Sequence, residues 1–229
     1  MISPIHVIIP ILNEKRVIQE NLQYLKLLNS ICPILFVDGN SKDGSEQILK
    51  KNDFEVIKSR IKGRGAQMSF GAVNANSQCE ILLFLHIDTR LPDNFNELIV
   101  NALKEHAWGR FEIKLNSNRL IFKVIQFQMN LRSKITSIVT GDQSIYVKKD
   151  IFLKYADEMK NHPLMEDIYL SKVLKKHYGH AKIINQPVTT SVRYWLKHGI
   201  IQTIIRMWVY RLLYFFGVSP QKLYQIYYN

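Results

Sequence analysis

The chain has 229 residues, 47% of them hydrophobic and 22% charged. That excludes a disordered chain, a collagen or a coiled coil, and it suits one domain, or one domain with a small appendage. Lys and Arg number 31 against 19 Asp and Glu, a net charge of +12, which directs expectation toward anionic partners: phosphorylated substrates, membrane surfaces or nucleic acid. Two cysteines, Cys32 and Cys79, have no metal-ligand spacing, so a disulfide scaffold and a zinc ribbon are excluded and a reducing compartment is expected.

The first hundred residues alternate short β-branched runs with helical patterns. Ile5 to Ile9 reads as a strand buried on both faces and closed by Pro10. Val17, Ile18, Leu22, Leu25 and Leu28 recur at helical spacing. Ile34 to Val37 is the second strand, ending at Asp38. The turn-rich run Asp38 to Ser45 follows, with Ser45 placed to cap a short helix to Lys51. Glu55 to Lys58 is a weaker third strand. Gly63 and Gly65 lead into a helix near Ala66 to Ala75. Glu80 to Leu85 is a fourth strand, closed by His86-Ile87-Asp88, and a helix then runs to about Glu105. Strand and helix alternating at this spacing predict a parallel sheet with helices on both faces. Ligands of such sheets bind beyond the carboxyl ends of the strands. That places Asn13, Glu14, Asp38, the Arg60 to Arg64 loop, His86 and Asp88 along one edge.

The second half reads differently. Trp108 to Leu115 is a strand, Leu120 to Ile138 an amphipathic helix, Ser144 to Val147 a strand, and Met165 to Lys176 a helix stopped by Gly179. The stretch from Ile200 to Val218 is apolar but carries Gln202, Arg206 and Arg211. It falls short of the roughly 20 apolar residues a bilayer span needs. The N-terminal residues show no basic n-region or small-residue cleavage site, so a cytoplasmic protein is expected.

Several residues invite chemistry, each with a plainer structural meaning beside it. Gly63-Arg64-Gly65 suits a diphosphate, because Arg donates in a fork matching phosphate oxygens, or it is a solvated turn. Asp38 reads as a ribose or base contact, or as a turn cap. His86-x-Asp88 suits a divalent ion bridging phosphates, or it caps the next helix. Glu166-Asp167 offers a general base, or it decorates a helix N-terminus. Asp142, in the Gly141-Asp142-Gln143 turn, is equally ambiguous.

The order of these segments resembles the family-two glycosyltransferases of the GT-A fold. Ile8-Ile9-Pro10-Ile11-Leu12-Asn13-Glu14 resembles their opening strand and turn, and Val37 to Ser45 resembles their Val-Asp-Asp-Gly-Ser-x-Asp-Gly-Thr segment. His86-Ile87-Asp88 stands at their Asp-x-Asp, and Met165-Glu166-Asp167 matches the Glu-Asp pair whose Asp is their usual base. The resemblance extends from Ile5 to about Pro220. Further segments resemble a bacterial subgroup often labelled arsenosugar-biosynthesis glycosyltransferases: Gly63 to Met68, His86-x-Asp88-Thr89, Thr140 to Gln143, Pro163 to Asp167, and Arg193-Tyr194-Trp195-x-x-His198-Gly199. Two positions depart from the family pattern: Gly39 replaces the second Asp of Asp-Asp-Gly-Ser, and His86 replaces the first Asp of Asp-x-Asp.

The resemblance implies an α/β GT-A (Rossmann-like) fold, a mostly parallel sheet with helices on both faces. Residues 1–106 would form a nucleotide-sugar half, 107–195 an acceptor half and 196–229 a C-terminal amphipathic helical extension. It implies an inverting transfer of a sugar from a nucleotide-diphosphate sugar to an acceptor alcohol or lipid. Pro10, Asn13, Glu14, Asp38, Arg64 and Gln67 would bind the donor. Asp88, with His86 and His198, would hold Mg²⁺ or Mn²⁺. Asp167, beside Glu166, would take the acceptor proton, and Asp142, Gln143, Arg193 and Trp195 would line the acceptor side. The alternatives are a non-catalytic basic module binding membrane or nucleic acid, which the strand-end carboxylates oppose, and a nucleotidyltransferase, which lacks its Gly-rich basic loop after the first strand. No nucleic acid partner is expected. Lys197, Arg206, Arg211 and Lys222 favour a peripheral contact of the C-terminal helix with anionic lipid, on the inner membrane face, over packing on its own domain.

Overall fold

Ile5–Ile11 (β1) is buried along nearly its whole length, as a strand covered by helices on both faces must be. The computed structural model describes residues 3–228. The outermost residues of the expected domain limits lie outside that range. After β1 come α1 (Lys15–Ile31), β2 (Ile34–Asp38), α2 (Ser45–Lys51), β3 (Glu55–Lys58), α3 (Arg64–Asn74) and β4 (Ile81–Phe84). These four strands are parallel, in the order β3-β2-β1-β4. Ile11 is level with Asp38, and Ile8 with Phe84, so their carboxyl ends open at one edge.

The chain continues through β5 (Thr89–Arg90), α4 (Phe95–Glu105), β6 (Trp108–Leu115), α5 (Leu120–Thr136) and a 3-10 turn (Gly141–Gln143). Then follow β7 (Tyr146–Lys148), α6 (Lys149–Leu153), α7 (Ala156–Met159), α8 (Glu166–Tyr178), β8 (Lys182–Thr190), α9 (Arg193–His198), α10 (Ile200–Phe215) and α11 (Pro220–Tyr228). The sheet has eight strands in the order β3-β2-β1-β4-β7-β6-β8-β5. Its second half is mixed, because β7 runs antiparallel to both β4 and β6 while β6 and β8 are parallel.

Alternate residues of β1 feed two cores. Val7, Ile9 and Ile11 pack with α1, α2, α4 and α5 on one face. Ile8 packs with α3, α7 and α8 on the other. This is the two-fold side-chain alternation of a pleated strand.

The expected elements shift where the backbone turns left-handed. The strand expected at Ser144 begins at Tyr146, because Ser144 has φ 51°. The helix expected to reach Ile138 stops at Thr136, where Ser137 has φ 55° and donates its N–H to Ser133 O. Ser45 does not cap α2; it is the first helical residue, and Gly44 precedes it with φ 92°. The apolar C-terminal stretch is two helices. Gly217, at φ 86°, turns the chain after α10, and Ser219 caps α11 ahead of Pro220.

Candidate active site

The strand ends, the 3-10 turn, the start of α8 and helices α9 to α11 enclose one cleft of about 420 Å³. Its walls carry Glu14, Arg64, His86, Asp88, Asp142, Glu166, Asp167, Arg193 and Trp195 from among the expected site residues. The chain thus brings together residues from positions 14 to 195 at the edge where a parallel sheet binds ligands.

Arg193 is the tie at one side. Its Nη2 donates to Glu14 Oε1 at 2.8 Å and its Nε to Asp88 Oδ2 at 2.7 Å. Burial pulls this guanidinium down, but the two carboxylates outweigh burial and hold its pKa above the ordinary arginine value. The Ser45 hydroxyl fixes Glu14 by accepting its backbone N–H at 2.8 Å.

Arg64 marks the opposite wall. Gly63 and Gly65 let the start of α3 press against residues 159–163: a Cβ at Gly65 would overlap the carbonyl oxygens of Met159 and His162. That approach sets Arg64 Nε 3.3 Å from Glu166 Oε1. Met165, left-handed at φ 63°, starts α8 and turns Glu166 and Asp167 toward the cleft. Glu166 is buried, and burial followed by the charge of Asp167 pushes its pKa up to about 8 despite Arg64. The Asp167 carboxylate accepts the Gly141 N–H at 3.1 Å.

Gly141 is the meeting point of the two walls. A Cβ there would lie 2.5 Å from His86 Nε2 and 2.9 Å from Arg64 Nη2. His86 Nδ1 lies 3.2 Å from Asp142 Oδ1, and its Nε2 is buried with no hydrogen-bond partner. Burial raises the Asp142 pKa, but His86, Arg64 and Arg211 together bring it below the ordinary carboxylate value.

Other expected site residues are turned to structural use. Asp38 is fully buried and takes both the N–H and the hydroxyl of Ser41. Asn13 Oδ1 accepts the Lys42 N–H at 2.8 Å. Gln67 Nε2 donates to Ile11 O and Val37 O, at 2.8 and 2.7 Å, and so clamps the ends of β1 and β2. Pro10 pairs with Val37 inside the sheet. Gln143 is buried, with its amide donating to Ser133 Oγ at 2.8 Å; its Oε1 accepts the Thr140 N–H at 3.3 Å, so it folds inward while Asp142 lines the cleft.

The three expected metal ligands are not gathered. His198 Nδ1 meets Tyr194 O at 3.0 Å, and the ring borders a separate hollow with Lys197 and Arg206. Among the described residues no three His, Cys, Asp or Glu side chains converge as a ligand set. His86 and Asp88 nevertheless suit a divalent ion whose remaining ligands are phosphate oxygens and water. Asp142 holds Nδ1 of His86 and leaves Nε2 without a hydrogen-bond partner, as a carboxylate commonly does for a histidine that binds metal.

The C-terminal helices form a wall that sequence reading missed. Met207, Tyr210 and Arg211 of α10 and Tyr227 and Tyr228 of α11 line the cleft. Arg206 Nη2 donates to Tyr227 O at 2.7 Å with its guanidinium 4.2 Å from that ring, and the Tyr194 and Tyr227 hydroxyls are 2.6 Å apart. Arg206 and Arg211 therefore turn inward, and they do not supply the lipid-facing charge expected of them. The only sequence signal for this was the pair of arginines in an otherwise apolar helix.

Residues 6–153 match the family model of Glycosyl transferase family 2. That span includes Glu14, Arg64, Asp88 and Asp142, and α8 follows it. Among solved structures, glucosyl-3-phosphoglycerate synthase from Mycobacterium tuberculosis, in complex with Mn²⁺, UDP and glucosyl-3-phosphoglycerate, is similar at 14% identity and TM-score 0.55, over 82% of this chain and 70% of that one. The same enzyme with Mn²⁺, UDP-glucose and phosphoglyceric acid gives the same identity and TM-score. Residues 1–349 of S. aureus TarS are similar at 16% identity and TM-score 0.62, over 97% of this chain and 68% of that one. These likenesses show the GT-A fold. No curated protein sequence matches the chain.

Proposed function

The chain belongs to glycosyl transferase family 2, and from that premise we propose that it moves a sugar, with inversion, from a nucleotide-diphosphate sugar to an acceptor hydroxyl. The observation that carries this reading is the single cleft in which Asp88 and Asp167 face one space from opposite elements. Residues 1–106 would serve the donor and 107–195 the acceptor, with 196–229 closing the cleft. The bacterial subgroup suggested by the segments from Gly63 to Gly199 attaches no substrate to the chain.

Asp167 takes the acceptor proton as the hydroxyl attacks the sugar from the face opposite the leaving diphosphate. The Gly141 N–H orients its carboxylate. Burial and the Asp167 charge raise the pKa of the adjacent Glu166 and favour its neutral form, which limits the negative charge beside the attacking hydroxyl. Arg64 approaches the phosphates from the α3 wall. Glu14 and Arg193 position the nucleoside side of the donor. A divalent ion held by Asp88 and His86 would neutralise charge on the leaving diphosphate. The Mn²⁺ and Mg²⁺ bound by the solved neighbours support that assignment.

A peripheral contact with anionic lipid is part of the same proposal. No described helix is long and apolar enough to cross a membrane. Two neighbouring helices do expose apolar stripes: Leu120, Val124, Phe127, Leu131 and Ile135 on α5, and Ile201, Ile205, Trp208, Leu212 and Phe215 on α10. Ile200, Ile204 and Met207 pack against the same core as Phe122 and Met129. Exposed Arg119, Lys123, Lys134, Lys197 and Lys222 supply the charge that anionic headgroups attract.

The direct test is a screen of nucleotide sugars for donor hydrolysis and for transfer to simple alcohols and lipid phosphates, with the product anomer read by NMR. Transfer with inverted configuration supports the proposal. Absence of binding to every nucleotide sugar removes it.

A further inference from the structure

Two arginines face the candidate base without a partner. Arg132, on α5, buries Nε and Nη2 with no hydrogen-bond acceptor. Arg211, on α10, lines the cleft and likewise has no ion pair or hydrogen bond among the described residues. Burial, then the charge of Arg211, lowers the Arg132 pKa to about 10, and burial also lowers that of Arg211. Two cations from separate helices thus sit close enough to repel, Arg132 with two nitrogens shut off from water and Arg211 at the cleft wall. A buried guanidinium without an anion is costly, and proteins rarely leave one so.

The acids within reach are already engaged. Asp142 faces His86, Asp167 accepts the Gly141 N–H, and Glu166 sits against Arg64. None lies within ion-pair distance of Arg132 or Arg211. Burial and the charge of Asp167 hold the Glu166 pKa up, so Asp142 and Asp167 do not fully match the positive charge of Arg64, Arg132 and Arg211. The buried Arg110, whose Nη1 and Nη2 donate to the carbonyls of Phe111 and Asn130, adds a further positive charge behind Arg132.

We propose that Arg211 seats a phosphate or carboxylate carried by the acceptor, beside the hydroxyl that Asp167 deprotonates, with Arg132 behind it adding positive charge. The proposal rests on the glycosyltransferase reading and names the acceptor class within it. The anion belongs to the acceptor because the carboxylates whose field reaches Arg211 are Asp167 and Asp142, whereas Asp88 and Glu14, on the donor side, have Arg193 as their cation. The planar Arg211 guanidinium matches carboxylate and phosphate oxygens in pairs, and a bound anion would also offset the charge of Arg132 behind it. The anion has two chemical sources, a soluble phosphorylated alcohol or a lipid headgroup.

The test has three arms. In the first, inorganic phosphate is titrated in a thermal-shift assay. It should protect the wild type, lose that effect in Arg211→Gln and show a weaker one in Arg132→Gln, with circular dichroism showing that each variant is folded; should Arg132→Gln fail to fold, Arg211→Gln decides alone. In the second, the nucleotide sugar found by the donor screen is offered with glycerol or with glycerol 3-phosphate. Wild type should prefer glycerol 3-phosphate by at least about tenfold in kcat/KM, equivalent to about 1.4 kcal/mol. Arg211→Gln should bring the ratio close to one. In the third, vesicles of phosphatidylglycerol or phosphatidylcholine replace the alcohols; preference for the first over glycerol 3-phosphate assigns the lipid source, and the reverse assigns the soluble one. Equal use of neutral and anionic acceptors, or phosphate protection that survives Arg211→Gln, overturns the anion seat while donor turnover leaves the family reading intact. A large loss of donor affinity in Arg211→Gln, measured by calorimetry, also overturns it, by assigning the arginine to the donor diphosphate. Absence of donor binding in the wild type would instead remove the glycosyltransferase reading on which the seat rests.

Discussion

Arg193, at the start of α9, lies 105 residues from Asp88 in sequence and donates its Nε to Asp88 Oδ2 at 2.7 Å. The carboxylate assigned to the diphosphate-bound metal therefore already has a cation on one oxygen. A divalent ion held there would compete with that arginine for negative charge, which a bound diphosphate would supplement. Asp88→Ala should abolish Mn²⁺-dependent donor binding, and His86→Ala should weaken it less. Calorimetry giving the same donor affinity in chelator as in Mn²⁺ would remove the metal from the mechanism.

Glu166 gives a pH dependence of known sign. Its folded pKa of about 8 stands above the ordinary 4.5, so the folded state retains a proton that the unfolded chain releases. That contribution to stability is complete below about pH 4.5 and is lost as pH rises through 8. Glu166→Gln keeps the neutral form throughout. Its Tm should fall less steeply than that of wild type between pH 5 and 8, with about 2–4 °C of difference for each kcal/mol involved. Parallel Tm curves for the two proteins would contradict this.

The two close approaches of glycine separate stability from activity. Gly65→Ala forces a methyl onto the Met159 and His162 carbonyls and should cost about 1–3 kcal/mol, the usual range for overpacking. Gly141→Ala meets only the ends of His86 and Arg64, which can move. It should lower turnover far more than it lowers Tm. Denaturant melts and rate measurements on both variants distinguish the two effects.

The membrane proposal is best tested by point variants. A truncation before Gly199 would also remove Tyr210, Arg211 and Tyr227 from the cleft. Phe127→Ser combined with Phe215→Ser changes only exposed side chains, 65% and 75% accessible. Wild type should float with phosphatidylglycerol liposomes at low salt, and the double variant should not. A wild type that ignores such liposomes and is monodisperse without detergent leaves α10 as a packing helix alone.

Much of this was legible in the sequence because local chemistry dictated it. β3 and β6 span Glu55–Lys58 and Trp108–Leu115, the bounds expected from the sequence, and the strand-end rule placed Glu14, His86 and Asp88 on one edge. The losses were long-range. β8 was not read, since half its residues are exposed and Pro187 sits in an irregular pairing with β6. Gln67 looked like a donor ligand, yet its amide spans Ile11 and Val37, a bridge invisible until both strands are paired. Gly39, which replaces the family's second Asp, has that same amide 3.1 Å from where its Cβ would be, so a larger residue would crowd it. Arg211 passed for a surface charge because nothing local showed that α10 folds back over the cleft.

The most direct test of the proposed chemistry is the turnover of Asp167→Asn with a nucleotide sugar and acceptor that the wild type uses. The substitution keeps the shape and the Gly141 contact while removing the proton acceptor. Turnover should fall at least about a hundredfold, the usual scale for a lost general base, with donor affinity changed by less than about twofold. A variant that keeps more than about half the wild-type rate would show that Asp167 is not the base.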